Sequence, residues 1–285
     1  MAHNFPLSHR KEEPENGILY MVGTPIGNLN DISPRAINIL ANVSLVACED
    51  TRQTRKIMNK FNISNNLISF NKENSFHKIT SLITDLKAGK SVALVSDAGM
   101  PGICDPGENI VGQAKSQGIE VICIPGACAA ITALVSSGIS SSRFVFEGFL
   151  PKKKIDREKI LLEISKNEKT TIIYESPNRL RKLLKELLEF CGDREIMVAR
   201  ELTKKFEEHI GDNISSVMEF FKDKDIIGEI TVVVKGIKKR DLNPNKSIIK
   251  KDLNDLINAG LSLSAASKYL AKKNGIKKSE VYNLI

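Results

Sequence analysis

Acidic side chains follow several apolar runs of this 285-residue sequence, each at the point where the run ends. These carboxylates are Glu49, Asp50, Asp97, Glu175 and Glu201. A carboxylate in such a position can take a proton from a hydroxyl group, and a positioned base accelerates that step by roughly 10²–10⁴-fold. Because Glu49 and Asp50 stand next to two arginines, we favour this pair as candidate catalytic groups.

The two arginines, Arg52 and Arg55, are three residues apart, so they share one face if the segment is helical. Guanidinium groups hold phosphate through paired donors. Arg52 is therefore a third candidate catalytic group, and Arg55 is a candidate nucleic-acid contact. The alternative interpretation is a structural ion pair between Glu49 and Arg52.

Residues 96–107 form the most informative stretch, because an apolar run leads into three glycines and two prolines within nine residues. Glycine lets a ligand approach the backbone closely, and proline fixes the shape of a loop. Such a loop can hold a small polar ligand with its own amides and carbonyls, although it could also simply turn the chain. Residues 23–27 and 84–91 match neither the dinucleotide-binding fingerprint nor the P-loop.

Metal and disulfide chemistry are not indicated. The five cysteines are odd in number and form no C-x-x-C pair, and the four histidines share no ligand spacing. We expect a reduced, cytoplasmic protein that needs no metal. No apolar run approaches the roughly 18 residues that a membrane span requires, and the first 16 residues lack the apolar core of a signal peptide.

The elements that must position these residues alternate between strands and helices up to residue 235. Strands are predicted at residues 18–22, 44–48, 92–96, 120–124, 144–146, 170–174, 196–199 and 230–234, and helices at 34–40, 79–87, 109–117 and 180–190. This order is typical of an α/β fold with a largely parallel sheet, at least in the first half. Ligands of open α/β sheets bind beyond the carboxyl ends of strands, where the carboxylates and glycines stand.

The chain divides into four predicted parts. Residues 1–16 form a polar tail, 17–140 an N-terminal α/β lobe, 141–240 a C-terminal α/β lobe, and 241–285 a basic helical module. Residues 136–142 are small and polar, as in a linker. Helices are predicted at 248–257, 262–273 and 279–285, with Ser262 or Ser264 capping the second and Ser279 the third.

Positive charge is concentrated at the end of the sequence. The net charge is +8, and the last fifty residues hold 11 basic and 4 acidic groups. Concentrated lysines and arginines attract phosphate backbones, because binding releases counterions. This charge predicts an RNA-docking module. The alternatives are a solvated tail that keeps the protein soluble and a segment that packs on the second lobe and stabilises a dimer.

Seven short segments together resemble the bacterial ribosomal RNA small-subunit methyltransferase I family, within the tetrapyrrole-methylase-like superfamily. They are residues 23–29, 49–52, 96–107, 125–127, 147–151, 174–177 and 199–204. The resemblance covers roughly residues 17–285. It implies a two-lobed class III methyltransferase fold, S-adenosylmethionine folded in the cleft between the lobes, and a homodimer. It also implies methyl transfer to the ribose 2′-hydroxyl of a cytidine in the decoding region of 16S rRNA, in the small ribosomal subunit.

The resemblance also assigns residues. Those around the cofactor would contribute backbone groups and small surfaces; they are Pro25, Ala98, Gly99, Gly102, Ile103, Cys128 and Ala129. Candidate RNA contacts follow from charge and position rather than from the resemblance; they are Arg55, Lys204, Lys268, Lys272 and Lys273, and solvated surface is the alternative for Lys204. Relatives usually carry a histidine-rich segment where this sequence has Asn71 and Lys72, so a histidine base is not expected there.

Two other function classes stay open at this point. A small-molecule methylase acting on a tetrapyrrole would share the glycine-rich loops, but it would not need a basic C-terminal module. A non-catalytic RNA-binding assembly protein would leave the carboxylates at the strand ends unexplained.

Overall fold

The first lobe is built on five strands: β1 (Leu19–Val22), β2 (Leu45–Cys48), β3 (Leu67–Ser69), β4 (Val92–Val95) and β5 (Val121–Ile124). They form one parallel sheet in the order β3-β2-β4-β1-β5. The computed structural model describes residues 13–237, 246–274 and 276–284, without the side chains of residues 246–248, 273 and 274. The predicted α/β fold with a parallel first sheet is confirmed.

Helices cover both faces of this sheet, which explains why its central strands are continuous apolar runs. Helices α1 (Pro34–Asn42) and α2 (Thr51–Lys60) pack on the face that includes Tyr20 and Val22. Helices α3 (Ser75–Lys87) and α4 (Glu108–Ser116) pack on the opposite face, which includes Leu19 and Met21. The loops beyond β1, β2 and β4 therefore emerge together at the carboxyl edge of the sheet.

The second lobe contains a mixed sheet of β6 (Phe144–Phe149), β7 (Thr170–Glu175), β8 (Glu195–Arg200), β9 (Glu208–Asn213) and β10 (Ile230–Val234). The strand order is β6-β7-β10-β8-β9, with β6 parallel to β7 and the other pairs antiparallel. Helices α6 (Lys154–Lys166), α7 (Pro177–Cys191) and α8 (Ile214–Phe221) bury one face of this sheet.

The other face of the second sheet is buried by a helix of the first lobe. This helix is α5 (Ala129–Ser136), and it contacts β7 and β10. Ala130, Ala133 and Leu134 of α5 share a core with Ile172 and Val233 of the sheet. The two lobes are therefore joined by a hydrophobic core as well as by the connecting chain.

The C-terminal helices form a small unit with a core of its own. They are α9 (Lys246–Asn258), α10 (Leu263–Asn274) and α11 (Lys278–Tyr282). Leu253, Leu270 and Val281, one from each helix, are fully buried in this core. The Ser262 hydroxyl accepts a hydrogen bond from the Ala265 amide at 3.2 Å, as predicted for a cap.

Several local predictions differ from the structure. Ser279 lies inside α11, whose N-cap is Lys277, so the prediction that Ser279 caps this helix is wrong. Strands β3 and β9 were not predicted: β3 has three half-buried residues, and β9 is mostly exposed and pairs with β8 alone. Both are edge strands held by main-chain hydrogen bonds, so they carry little apolar signal.

The structure describes the two ends of the chain only in part. The boundary predicted at residue 240 and most of the tail at residues 1–16 lie outside the described residues. Glu13, which is described, pairs with Arg35 of α1 at 2.6 Å. Among the residues that the structure describes, no helix is both long and apolar enough to cross a membrane.

The loops after β1 and β5 approach each other closely at Gly23 and Gly126. The Gly23 amide donates to the Ile124 carbonyl at 3.0 Å, and a Cβ on either glycine would lie 2.7 Å from backbone atoms of the other. Only residues without a side chain allow this approach.

We therefore expect Gly126→Ala to lower the free energy of unfolding by about 1–3 kcal/mol, the usual cost of overpacking. The matched control is Gly112→Ala in α4, where a Cβ would meet nothing within 4 Å. That control should be neutral or should stabilise the protein by up to about 1 kcal/mol, because alanine favours helix more than glycine does. Urea unfolding measures both, and equal stability of the two variants would contradict the prediction.

Candidate active site

A cleft of about 470 Å³ lies between the two lobes. Its first-lobe wall comes from the strand-end loops and the start of α5: Ile26, Glu49, Asp97, Ala98, Gly99, Met100, Ile103, Cys104, Asp105, Cys128 and Ala129. Its second-lobe wall is formed by Phe149, Tyr174, Glu175, Ser176, Pro177, Leu202, Gly228, Glu229, Ile230 and Thr231. The cleft therefore lies where the carboxyl ends of the first-lobe strands predict a ligand site.

Most of the residues that the resemblance assigns to a cofactor line this cleft. They are Ala98, Gly99, Ile103, Cys128 and Ala129, whereas Pro25 and Gly102 lie outside its lining. The loop that carries Ala98 and Gly99 is fixed by Thr24, whose amide donates to the Gly99 carbonyl at 2.9 Å. Gly99 has a left-handed backbone with φ +78°, which explains why glycine is needed there.

The first-lobe wall is acidic. Burial raises the pKa of Glu49, Asp97 and Asp105 above their ordinary values, and repulsion between the carboxylates adds to the effect. The Lys72 ammonium lowers the pKa of Glu49 and Asp105 and so opposes part of this shift. A site of this kind favours a ligand that carries positive charge, since such a charge relieves the repulsion.

Glu49 and Asp50 are neighbours in sequence but have different surroundings. Glu49 lines the cleft, whereas Asp50 is the N-cap of α2 and its carboxylate accepts from the Arg52 amide at 2.8 Å. The Arg52 guanidinium also binds the Asp50 carboxylate at 2.7 Å, and these hydrogen bonds lower the pKa of Asp50 to about 2. Arg55 lies further along the same helix with an exposed side chain.

The second-lobe wall rests on a buried ionic network that the sequence did not indicate. The side chain of Glu175 is fully buried, with the Arg157 Nη2 atom at 3.4 Å and the Arg179 Nε atom at 3.3 Å. Arg179 also donates to the Leu150 carbonyl at 2.7 Å, which ties the β6–α6 connection to the β7–α7 turn. The network therefore fixes the two segments that carry Phe149 and Ser176 in the cleft wall.

Tyr174 joins the lobes from the second-lobe side. Its hydroxyl accepts a hydrogen bond from the Ala130 amide, in the first turn of α5, at 3.0 Å. An amide at a helix start has no partner within the helix, so this hydrogen bond satisfies it. Burial raises the pKa of Tyr174 above its ordinary value.

The candidate RNA contacts fall into two groups. The Lys204 ammonium lies between Glu201 at 2.7 Å and Glu229 at 2.9 Å, on the side of the cleft that Glu229 lines. Burial alone would lower the pKa of Lys204, but the hydrogen bonds to the two carboxylates outweigh this effect and raise the pKa.

The second group of candidate RNA contacts lies on α10. Lys268 and Lys272 have exposed side chains there, while the side chain of Lys273 lies outside the described residues.

Comparison with known proteins gives the family. A sequence profile described as Tetrapyrrole (Corrin/Porphyrin) Methylases matches residues 18–217. A protein of Synechocystis sp. named Ribosomal RNA small subunit methyltransferase I is 42% identical over 94% of this chain and 97% of its own length. Its Bacillus subtilis namesake is 43% identical over 94% of this chain and 93% of its own length. The chain belongs to the ribosomal RNA small subunit methyltransferase I family.

As a member of this family, the protein is a methyltransferase. The namesake from Thermotoga maritima is 46% identical over 99% of its own length but matches only 77% of this chain. Nearly a quarter of the present chain therefore has no counterpart in that relative.

Solved structures share the fold of this family member. A cobalt precorrin-4 methyltransferase of cobalamin biosynthesis superimposes with a TM-score of 0.59 at 14% identity, over 77% of this chain and 95% of its own. A diphthine synthase superimposes with a TM-score of 0.56 at 16% identity, over 76% of this chain and 89% of its own. In the described part of the present protein, no group of three His, Cys, Asp or Glu side chains is placed to hold a metal ion.

The lining of the cleft allows a direct test of the cofactor assignment. Ala98 is exposed in the cleft and has an ordinary backbone conformation, so a larger side chain fits without straining the fold. We expect Ala98→Leu to lower the affinity for S-adenosylmethionine at least tenfold, because the new side chain occupies ligand space. Calorimetry with the purified protein measures the affinity.

The matched control for this variant is Ala265→Leu, at an exposed position of α10 away from the cleft. It should bind S-adenosylmethionine as the unaltered protein does, and both variants should keep its melting temperature within about 2 °C. An unchanged affinity of Ala98→Leu would show that the cofactor does not occupy this part of the cleft.

Proposed function

We propose that this protein transfers a methyl group from S-adenosylmethionine to the ribose 2′-hydroxyl of a cytidine in the decoding region of 16S rRNA. The observation that carries the proposal is the combination of an acidic cleft between the lobes with a separate basic helical unit. The names of the relatives from Synechocystis and Bacillus subtilis support ribosomal RNA of the small subunit as the substrate.

The residues of the cleft fit S-adenosylmethionine. The carboxylates of Glu49, Asp97 and Asp105 provide the negative charge that a cationic sulfonium and an ammonium group favour. Ala98 and Gly99 line one wall of the cleft, and the aromatic residues Phe149 and Tyr174 line the opposite wall. When bound, the cofactor supplies a methyl group that is already activated for displacement.

The protein's own residues would align the reactants and remove one proton. Alignment of a nucleophile with a bound methyl donor replaces a bimolecular encounter by a step within one complex. A ribose hydroxyl is a poor nucleophile until its proton leaves, so a base in the cleft wall would accelerate the transfer. Glu49 is the better candidate, because it lines the cleft and burial raises its pKa, whereas the carboxylate of Asp50 is held by Arg52.

The basic unit would provide affinity for RNA, separately from the chemistry. Lys268, Tyr269 and Lys272 lie on the exposed side of α10, and Leu270 of the same helix is buried in the unit's core. Phosphate contacts set the position of a nucleic acid on a protein. A tetrapyrrole methylase is the less favoured function, because its substrate would give this unit no role.

The family resemblance also bears on the assembly and location of the protein. We infer that it acts as a homodimer in the cytoplasm, where the small ribosomal subunit is found. Ile131 and Val135 of α5 lie one turn apart with 43% and 74% of their surface exposed, and a second copy would cover them. The oligomeric state in solution can be measured by light scattering.

The proposed reaction can be tested with tritium-labelled S-adenosylmethionine and two substrates, free 16S rRNA and small ribosomal subunits that lack the modification. Nuclease mapping locates the label. A 2′-O-methyl group blocks alkaline cleavage of the adjacent phosphodiester bond, so the label should be recovered in an alkali-resistant dinucleotide. Label in an alkali-sensitive nucleotide would indicate base methylation, and no transfer to either substrate would contradict the proposal. Ala98→Leu serves as the control that lacks a functional cofactor site.

The roles of the two neighbouring carboxylates make a further prediction. We expect Glu49→Gln to lower the single-turnover rate by about 10²-fold or more, the contribution of a positioned base. The base must be ionised, so the rate of the unaltered protein should rise with pH through a pKa above the ordinary 4.5 of glutamate. The variant should lose this dependence.

Asp50→Asn is the matched comparison, because asparagine caps a helix about as well as aspartate does. We expect this variant to keep its stability and to retain its rate within about threefold. Rates at several pH values with saturating cofactor and subunits give the answer. An equal loss in both variants would show that Asp50 takes part in proton removal.

The role of the basic unit gives a separate prediction. Replacing Lys268 and Lys272 together by glutamine should weaken RNA binding and leave the affinity for S-adenosylmethionine unchanged. For each phosphate that the variant no longer neutralises, the slope of log K against log salt concentration should become shallower by about 0.7 to 0.9. Filter binding at several salt concentrations measures this slope.

The control for this double variant replaces Lys87 and Lys115, which are exposed at the ends of α3 and α4. These helix ends precede β4 and β5, so they lie at the amino edge of the first sheet, opposite the cleft. The control should bind RNA as the unaltered protein does. If both double variants lose the same affinity, binding depends on total charge and the unit has no specific role.

A further inference from the structure

The segment that follows β8 has a strained backbone at two residues. Glu201 has φ +54° and Thr203 has φ +67°, in the left-handed region that residues other than glycine rarely adopt. For a β-branched residue such as threonine this conformation is a clear outlier. Strain of this kind persists only where surrounding contacts impose it, and it is concentrated at functional sites.

Thr203 is held by two hydrogen bonds, one between the lobes and one within the second lobe. The Thr203 hydroxyl, in the second lobe, accepts a hydrogen bond from the Asn28 amide, in the loop after β1 of the first lobe, at 3.0 Å. On the other side, the Thr203 amide donates to the Glu207 carboxylate at 2.7 Å. The backbone of Thr203 is therefore fixed by a contact within the second lobe, while its side chain contacts the first lobe.

The loop of the first lobe is shaped to receive this threonine. A Cβ on Gly27 would lie 2.7 Å from the Thr203 hydroxyl oxygen and 2.5 Å from the Cγ atom of Lys204. The loop can approach so closely only because residue 27 has no side chain. Ile26 precedes Gly27 in the first lobe, and Leu202 precedes Thr203 in the second. Both residues line the cleft and belong to the hydrophobic core between the lobes.

We propose that Thr203 is a positioning residue, which holds the Gly27–Asn28 loop against the second lobe and so sets the width of the cleft. The strained backbone is the conformation that brings its hydroxyl within reach of Asn28. A ligand that contacts both walls of the cleft needs them at a fixed separation, and the hydrogen bond favours the separation seen here. The expected effect on the rate of methyl transfer rests on the proposed function. The expected effect on cofactor affinity holds whatever the methyl acceptor is.

The test compares Thr203→Val, which keeps the size and branching of the side chain but removes the hydroxyl, with Thr203→Ser, which keeps the hydroxyl. We expect the valine variant to bind S-adenosylmethionine about 3- to 10-fold more weakly, the factor that corresponds to one net hydrogen bond. Its single-turnover rate with small ribosomal subunits should fall at least threefold at saturating cofactor. The serine variant should stay within twofold of the unaltered protein in both measurements.

Thermal unfolding separates this role from a merely structural one. The hydrogen bond is exposed, so water can satisfy the Asn28 amide in the valine variant, and its melting temperature should change by no more than about 2 °C. Thr80→Val, at an exposed position of α3, controls for the loss of a hydroxyl elsewhere and should change neither affinity nor rate.

The proposal is overturned if Thr203→Val binds the cofactor as tightly as the unaltered protein, or if Thr203→Ser loses as much affinity as Thr203→Val. It is also overturned if the weaker binding of Thr203→Val comes with a matching fall in melting temperature. If the unaltered protein transfers no methyl group to 16S rRNA, the proposed function fails, and the comparison of cofactor affinities still decides the role of Thr203.

Discussion

The packing of α5 against the second sheet is the interaction on which the rest of the structure depends. This helix belongs to the first lobe by its place in the chain, yet Ala130 and Ala133 bury the face of a sheet that the second lobe leaves uncovered. Small side chains allow the helix to lie close to the strands, and the Tyr174 hydroxyl satisfies an amide at its start. The walls of the cleft belong to different lobes, and this contact holds those lobes together. Without it, the loops at the strand ends would not face a common space.

The sequence was most informative where burial determines the structure. The central strands of the first sheet are apolar runs because helices cover both faces, so their positions could be read within one or two residues. The edge strands β3 and β9 are held by main-chain hydrogen bonds, which leave no periodic pattern in the side chains. The site was predicted at the strand ends for a physical reason, since parallel strands bring their carboxyl ends to one edge.

The sequence could not separate the roles of adjacent residues. Glu49 and Asp50 occupy the step from β2 to α2, where one side chain enters the cleft and the next caps the helix. The direction of each side chain depends on the backbone angles of these two residues, and the residue types alone do not reveal those angles. The ionic network around Glu175 was missed for a related reason. Arginine side chains are mostly exposed in proteins, so nothing in the sequence marks Arg157 as buried, whereas two carboxylates at 3.4 Å and 2.7 Å allow it to be buried.

The acidic wall of the cleft has a consequence for the choice between ligands that share an adenosine group. Adenosine triphosphate is abundant in cells and carries anionic phosphates where S-adenosylmethionine carries a cationic sulfonium. Phosphates placed against this wall would meet the like charge of Glu49, Asp97 and Asp105, which disfavours binding. The carboxylates that would suit the proposed methyl donor would thus disfavour adenosine triphosphate. Selectivity between the two would come from repulsion, without any contact that distinguishes the adenosine itself.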